Sequence, residues 1–253
     1  RSRGLGDVYK RQIQSLTNNI IWNIFADQEH NIWLGTDYGI SLSRYNSALQ
    51  FIPISQITGT GDGNQFYSLF RDSKGFYWFG GANGLIRFTD PAGERHDAIW
   101  YRMGDKTYPL SHNRIRHIYE DKEQQLWIAT DGSINRYDYA TRQFIHYNIV
   151  DNTGTYNTNW TYYIFEDTAG QLWISTCLGG IFVVDKHKLM QSTSGQYIAE
   201  QNYSVHNGLS GMFINQIIPD NEGNVWVLLY NNKGIDKINP RTREVTKLFA
   251  DEL

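Results

Sequence analysis

The stretch 115-IRHIYEDKEQQLWIATDGSINRYDY-139 decides how this chain is read. Apolar and aromatic residues with a strand-like bias run up to Asp121, a short polar run follows, and the apolar pattern resumes at Leu126-Trp127-Ile128. Ile118 stands three residues before the Asp and Trp127 six residues after it. Both spacings recur along the chain. Asp27/Trp33, Asp72/Trp78, Asp121/Trp127, Asp167/Trp173 and Asp220/Trp226 keep the longer step, and Ile24, Leu69, Ile118, Ile164 and Ile217 keep the shorter one. From one of these Trp to the next the intervals are 45, 49, 46 and 53 residues.

Each repeat divides into four short segments. The first ends at the Asp (IWNIFAD, FYSLFRD, IRHIYED, TYYIFED, INQIIPD) and the second carries the Trp (IWLGT, YWFGG, LWIAT, LWIST, VWVLL). A third follows a turn (GISLSRYN, GLIRFTD, SINRYDY, GIFVVDK, GIDKINP), and a fourth is read at 49–54, 99–103, 142–147, 197–201 and 244–248. The β-branched and aromatic bias between turn residues is a strand signature, and nothing recurs at helical spacing. The Asp opens a tight turn by accepting from its own backbone. Gly75, Gly170 and Gly223 supply the positive φ that ends the turn, with His30 and Gln124 in that slot in two repeats. If those two turns keep the geometry, each non-Gly residue costs about 1 kcal/mol. Four antiparallel strands at this period are the blade of an all-β propeller, about five blades in all. The blades are read at 19–54, 64–103, 113–147, 159–201 and 212–250, within a propeller spanning 13–253. The five Trp are expected to be packing between blades.

Composition agrees and excludes other classes. The 253 residues hold 8 Trp, 17 Tyr and 12 Phe but only 19% charged residues, which rules out disorder, coiled coil and collagen. A net charge of −3 leaves no basic field for nucleic acid or an anionic membrane. A lone Cys177 excludes a disulfide framework or a cysteine zinc site. No apolar run is long enough to span a membrane, so direct membrane contact is not expected of this segment. Residues 1–12 (RSRGLGDVYKRQ) match nothing else, are no signal peptide, and read as a non-family tail or fragment edge.

The unit Asp27…Trp33-Leu34-Gly35-Thr36…Gly39-Ile40, repeated as Asp72…Gly75…Trp78-Phe79-Gly80…Gly84-Leu85-Ile86-Arg87-Phe88, as Asp121…Trp127-Ile128-Ala129-Thr130…Arg136-Tyr137-Asp138, and from Asp167 and Asp220, resembles the two-component regulator propeller repeat. The likeness covers residues 19 to 250. It departs from the pattern where Leu228-Leu229 replace Gly-Thr and where Gly132 comes one residue early. That family builds the periplasmic sensors of bacterial hybrid two-component histidine kinases that detect polysaccharide fragments. The resemblance implies a fragment of a seven-bladed ring, with a closed five-bladed ring as the alternative, from the ectodomain of an inner-membrane protein. It also implies an oligosaccharide ligand, and the remaining blades, downstream sensor domains and a second copy as partners.

In such a blade the fourth-to-first and second-to-third connections share one end, where binding groups on loops are expected. The long fourth-to-first loops are 56–65, 104–114, 151–160 and 204–213. A sugar needs flat apolar faces and planar polar groups. Tyr38, Tyr156, Trp160 and Tyr230 offer the first, Asn83, Asn207 and Asn231 the second, and His112 with Arg114 would suit an acidic sugar. Loop packing is the competing reading for each aromatic residue. Arg44, Arg87, Arg136 and Lys237 recur on third strands and are expected to serve the turn Asp. No histidine spacing, nucleophile pairing or phosphate loop points to a metal, a catalytic residue or a cofactor. The glycine-rich 58–64, with Asp62 and Asn64, is read as a flexible loop before a calcium site.

The favoured reading is a ligand-sensing module that regulates glycan utilisation without catalysis of its own. The alternatives are a propeller lyase or hydrolase, which needs acid–base groups such as His112, His206 and a carboxylate to converge, and a protein-interaction propeller, which needs an exposed apolar patch.

Overall fold

In the computed structural model, residues 16–45, 49–52, 65–89, 98–107, 109–193, 195–230 and 234–248 are described. The N-terminal tail, the glycine-rich 58–64 and Asn231 lie outside these residues. Five four-stranded antiparallel sheets follow one another along the chain, which makes this a propeller fold. The first holds β1 (Ile21–Ala26), β2 (Ile32–Thr36), β3 (Gly39–Ser43) and β4 (Leu49–Ile52). The second holds β5 (Phe66–Arg71), β6 (Tyr77–Gly81), β7 (Gly84–Phe88) and β8 (Ile99–Tyr101), and the third β9 (Ile115–Glu120), β10 (Leu126–Thr130), β11 (Ser133–Asp138) and β12 (Gln143–Tyr147). A short β13 (Ile149–Val150) leads to the fourth, with β14 (Thr161–Glu166), β15 (Gln171–Thr176), β16 (Ile181–Asp185) and β18 (Gln201–Tyr203); helix α1 (Lys186–Gln191) and β17 (Tyr197–Ile198) lie between β16 and β18 in the chain. The fifth holds β19 (Ile214–Pro219), β20 (Val225–Leu229), β21 (Ile235–Ile238) and β22 (Val245–Leu248). Two compact units divide the chain, Arg1–Asp105 with Asn113–Ile118, and Lys106–His112 with Tyr119–Leu253.

The six-residue step from Asp to Trp has one cause. In every blade, Oδ1 of the Asp accepts the backbone N–H groups two and four residues on, closing the turn between first and second strands. Oδ2 accepts the indole Nε1–H of the Trp, at 2.8 Å for Trp33, 2.7 Å for Trp78, 2.9 Å for Trp127 and Trp173 and 3.0 Å for Trp226. One carboxylate thus locks a turn and fixes a large side chain, and charge-assisted bonds of this kind are about twice as strong as neutral ones. His30 and Gln124 keep the turn geometry, with φ of 63° and 62°.

In the first unit Trp33, Ile40 and Leu42 of blade one pack on Phe66, Leu69, Tyr77 and Phe79 of blade two. The Gly of the W-x-G segment serves this approach. A Cβ on Gly35 would stand 2.7 Å from the Phe66 carbonyl, and one on Gly80 2.4 Å from Ile115. In the second unit Trp127, Ile134 and Tyr147 pack on Ile164, Ile174 and Phe182, and Trp173, Val183 and Tyr203 on Ile214, Ile217 and Val227. Leu69, Ile118, Ile164 and Ile217 are buried as the repeat predicts, whereas Ile24 is 66% exposed and Trp226 only half-buried.

The fourth repeat differs from its sequence reading. Residues 197–201 suit a strand, but Tyr197–Ile198 pairs in parallel with Ile149–Val150. The fourth strand of that blade is Gln201–Tyr203, antiparallel to β16. The helix α1 fills the detour, its N-terminus capped by Asp185, whose side chain accepts from Lys188 N. The third-strand cations Lys237, Arg87 and Arg136 make structural contacts of different kinds, and of these Lys237 pairs with its turn Asp. Lys237 Nζ lies 3.9 Å from Asp220 and over the Trp226 ring, Arg87 covers Phe76 and Trp78, and Arg136 donates to Gln125 and Tyr147.

Candidate functional site

Two adjoining hollows, both in the second unit, flank the loop 151–160, one against the segment 199–207 and the other against Leu178 and Gly179. One, of about 530 Å³, is walled by Asp151, Asn152, Thr153, Gln201, Asn202 and His206, among others. The other, of about 470 Å³, is walled by Asn157, Asn159, Trp160, Leu178 and Gly179. Thr155 and Tyr156 belong to both. Volumes of this size suit small ligands.

The loop is shaped by its own bonds. Asp151 accepts Tyr156 N at 2.9 Å on one oxygen and the Thr153 hydroxyl at 2.5 Å on the other. Burial pushes this carboxyl up, but those donors outweigh it and hold it below the ordinary carboxylate range. The parallel pair β13–β17 and a bridge from Val150 to Asn157 anchor the loop's start. On the facing segment, Ser204 caps a 3-10 turn over Val205–Asn207, and Asn207 Oδ1 accepts Ser204 N at 2.6 Å. The two sides meet where His206 Nε2 lies 3.2 Å from the Tyr156 hydroxyl.

Trp160 stands apart. Its φ is +55°, which a bulky residue adopts only when its surroundings impose it. The surroundings here are two backbone bonds, Trp160 N to Asp131 O at 3.0 Å and Cys177 N to Trp160 O at 2.9 Å. The indole is left 48% exposed beside the exposed Leu178, an apolar wall opposite amide side chains.

Of the residues singled out in sequence, Tyr156 and Trp160 share the second hollow, and Asn207 lines the first beside Tyr156. Tyr230 is exposed, edge-on to Tyr162 at 6.1 Å, and lines neither hollow. His112 is half-buried in the second unit but outside both hollows. Tyr38, Asn83 and Arg114 belong to the first unit, each exposed. Asn152, Thr155, Gln201 and Asn202 were missed, and only the length of the loop 151–160 signalled the first two. The first unit carries its own polar cluster, missed likewise. Asp37 Oδ1 accepts Trp22 Nε1 at 3.1 Å and Gln65 Nε2 at 2.8 Å, Tyr67 donates to Gln65, and Arg116 lies over the Tyr67 ring. Among the described residues no three His, Cys, Asp or Glu side chains converge to hold a metal, and no helix is long and apolar enough to cross a membrane.

Residues 15–38, 60–83 and 109–132 match the two-component regulator propeller, each match spanning one Asp–Trp hairpin. The chain belongs to the two-component regulator propeller family. It is similar to the extracellular domain of BT4673 from B. thetaiotaomicron, which is assigned to a hybrid two-component system. The identity is 99% over 96% of this chain and 32% of that one, with a TM-score of 0.79. The extracellular domain of BT3049 from the same organism follows at 21% identity, covering 93% of this chain and 29% of that one, with a TM-score of 0.70. Virginiamycin B lyase from Staphylococcus aureus shares 17% identity over 92% of this chain and 71% of its own, TM-score 0.65, a likeness of fold alone. The chain spans about one third of the BT4673 domain. No curated protein sequence matches it.

Proposed function

We propose that the chain is part of a periplasmic, ligand-sensing propeller of a hybrid two-component sensor, that it recognises oligosaccharides to regulate glycan utilisation, and that it has no catalysis of its own. The remaining blades and the downstream sensor domains of the parent chain are its partners. The observation that carries the reading is Trp160, an exposed indole fixed by backbone bonds at the edge of a hollow that sets Leu178 beside the polar side chains of Thr155, Tyr156, Asn157 and Asn159. A sugar ring stacks its C–H face on such a surface and hydrogen-bonds its hydroxyls to such groups. A lyase would need acid–base groups to converge, and of the histidines named for that role His206 lines a hollow while His112 does not. The test is in the cell. A transcriptional reporter for the parent system, challenged with oligosaccharides, is expected to respond, and Trp160→Ala is expected to blunt that response at least tenfold with protein levels unchanged. An undiminished response in Trp160→Ala overturns the site.

A further inference from the structure

The polarity of the two hollows selects among ligands. We infer that the cleft takes uncharged oligosaccharides of at least two units and rejects uronate- or sulfate-bearing ones. This rests on the glycan-binding reading and goes further, to the charge and the length of the ligand.

Charge comes first. Among the described residues, no Lys or Arg lines either hollow. The titratable groups there are Asp151, Glu200, His206 and Tyr156. Both carboxylates are fully engaged by the protein. Asp151 holds Tyr156 N and the Thr153 hydroxyl, and Glu200 accepts the Tyr197 hydroxyl at 2.7 Å and Asp185 N at 2.8 Å. The bonds to Asp151 hold its carboxyl below the ordinary carboxylate range, so an anionic ligand meets a negative charge there. The nearby ammonium of Lys188 is held by Asp185 at 3.4 Å and Glu200 at 3.7 Å. Recognition of a carboxylate or sulfate calls for a guanidinium or ammonium directed at it, and among the described residues the walls direct none. His112 and Arg114, which in sequence suggested an acidic sugar, line neither hollow.

Length follows from the shared wall. Thr155 and Tyr156 face both hollows, and His206 fixes the Tyr156 hydroxyl at their junction. One hollow adds an indole and a leucine to the amides of Asn157 and Asn159, and among the described residues the other has no such apolar pair but Asn152, Gln201, Asn202 and Asn207. A single sugar ring occupies one of them, and a second unit is needed to engage the other.

Titration calorimetry on the complete ectodomain tests both parts. The probes are uncharged tetrasaccharides of gluco, manno, galacto, xylo and arabino configuration, their monosaccharides, tetragalacturonate and a sulfated tetrasaccharide. An uncharged tetrasaccharide is expected to bind at least tenfold tighter than its monosaccharide and than either anionic probe. Trp160→Ala and Tyr156→Ala are each expected to weaken that binding at least tenfold, with thermal unfolding as the control for folding. An anionic probe that binds as tightly and is lost with Trp160→Ala overturns the charge selection while leaving the glycan site standing. A monosaccharide as tight as the tetrasaccharide overturns the two-unit cleft. Binding insensitive to both substitutions, or no binding of any probe, overturns the glycan site itself and this inference with it.

Discussion

Two blade junctions, one in each compact unit, meet the same need with different chemistry. In the first unit, Oδ2 of Asp27 accepts the Trp33 indole and also the hydroxyl of Tyr77, 3.3 Å away on the next blade. Tyr77 directly precedes the next repeat's Trp. In the second unit the equivalent residue is Leu172, which can donate nothing. There Lys186, the first residue of α1, reaches Asp121 at 3.2 Å and Glu166 at 2.9 Å. The bracket carboxylate thus has a lone pair facing its neighbour blade, and a donor from any element can fill it. Burial disfavours the Lys186 ammonium, yet Glu166 and Asp121 outweigh burial and raise its pKa. The neutral donor is dispensable in a way the charged one is not, because two buried anions depend on Lys186.

That contrast can be broken by substitution. Lys186→Met leaves Asp121 and Glu166 buried without their cation, and a loss of about 3–5 kcal/mol in the urea-unfolding free energy is expected. A loss below about 1 kcal/mol would show that solvent or a rearranged donor replaces the lysine. Tyr77→Phe removes only a long neutral-to-carboxylate bond in a packed site and should cost about 1 kcal/mol by the same measurement. A cost equal to that of Lys186→Met would erase the distinction between the junctions. Gln124→Gly, in the turn beside the charged junction, relieves a left-handed φ and is expected to raise stability by up to about 1 kcal/mol. Its failure to stabilise would mean that the entropy of the new glycine cancels the gain. Smallest of all, Lys237→Gln loosens a partly exposed pair at 3.9 Å in the fifth blade and should shift stability by less than about 0.5 kcal/mol, a shift that 0.5 M salt abolishes.

The same contrast explains what could be read in the sequence. The bracket is local, six residues from Asp to Trp, so its period exposed the blades and their first three strands. The junction donors are not local, since Tyr77 lies fifty residues from Asp27 and Lys186 reaches back across a whole blade. Nothing in KHKLMQ marks a helix of six residues, too short to display periodicity. QYIAE was legible as a strand but not as a partner of Ile149–Val150, because pattern gives conformation and not pairing. Loop lengths brought Tyr156 and Trp160 into view. The left-handed φ of Trp160 has no sequence signature, and Tyr38, Asn83 and Arg114, read from equivalent loop positions, belong to the first compact unit.

The bracket leaves each blade's outer margin unconstrained. Because the first hairpin closes on its own carboxylate, chain can be inserted between third and fourth strands without disturbing the register within. The fourth blade has used that freedom for a capped helix and a parallel strand pair, and its outermost strand adjoins the hollow lined by Gln201 and Asn202. In a propeller built this way the chain between third and fourth strands can diversify a blade at a time, while the first hairpins stay as they are.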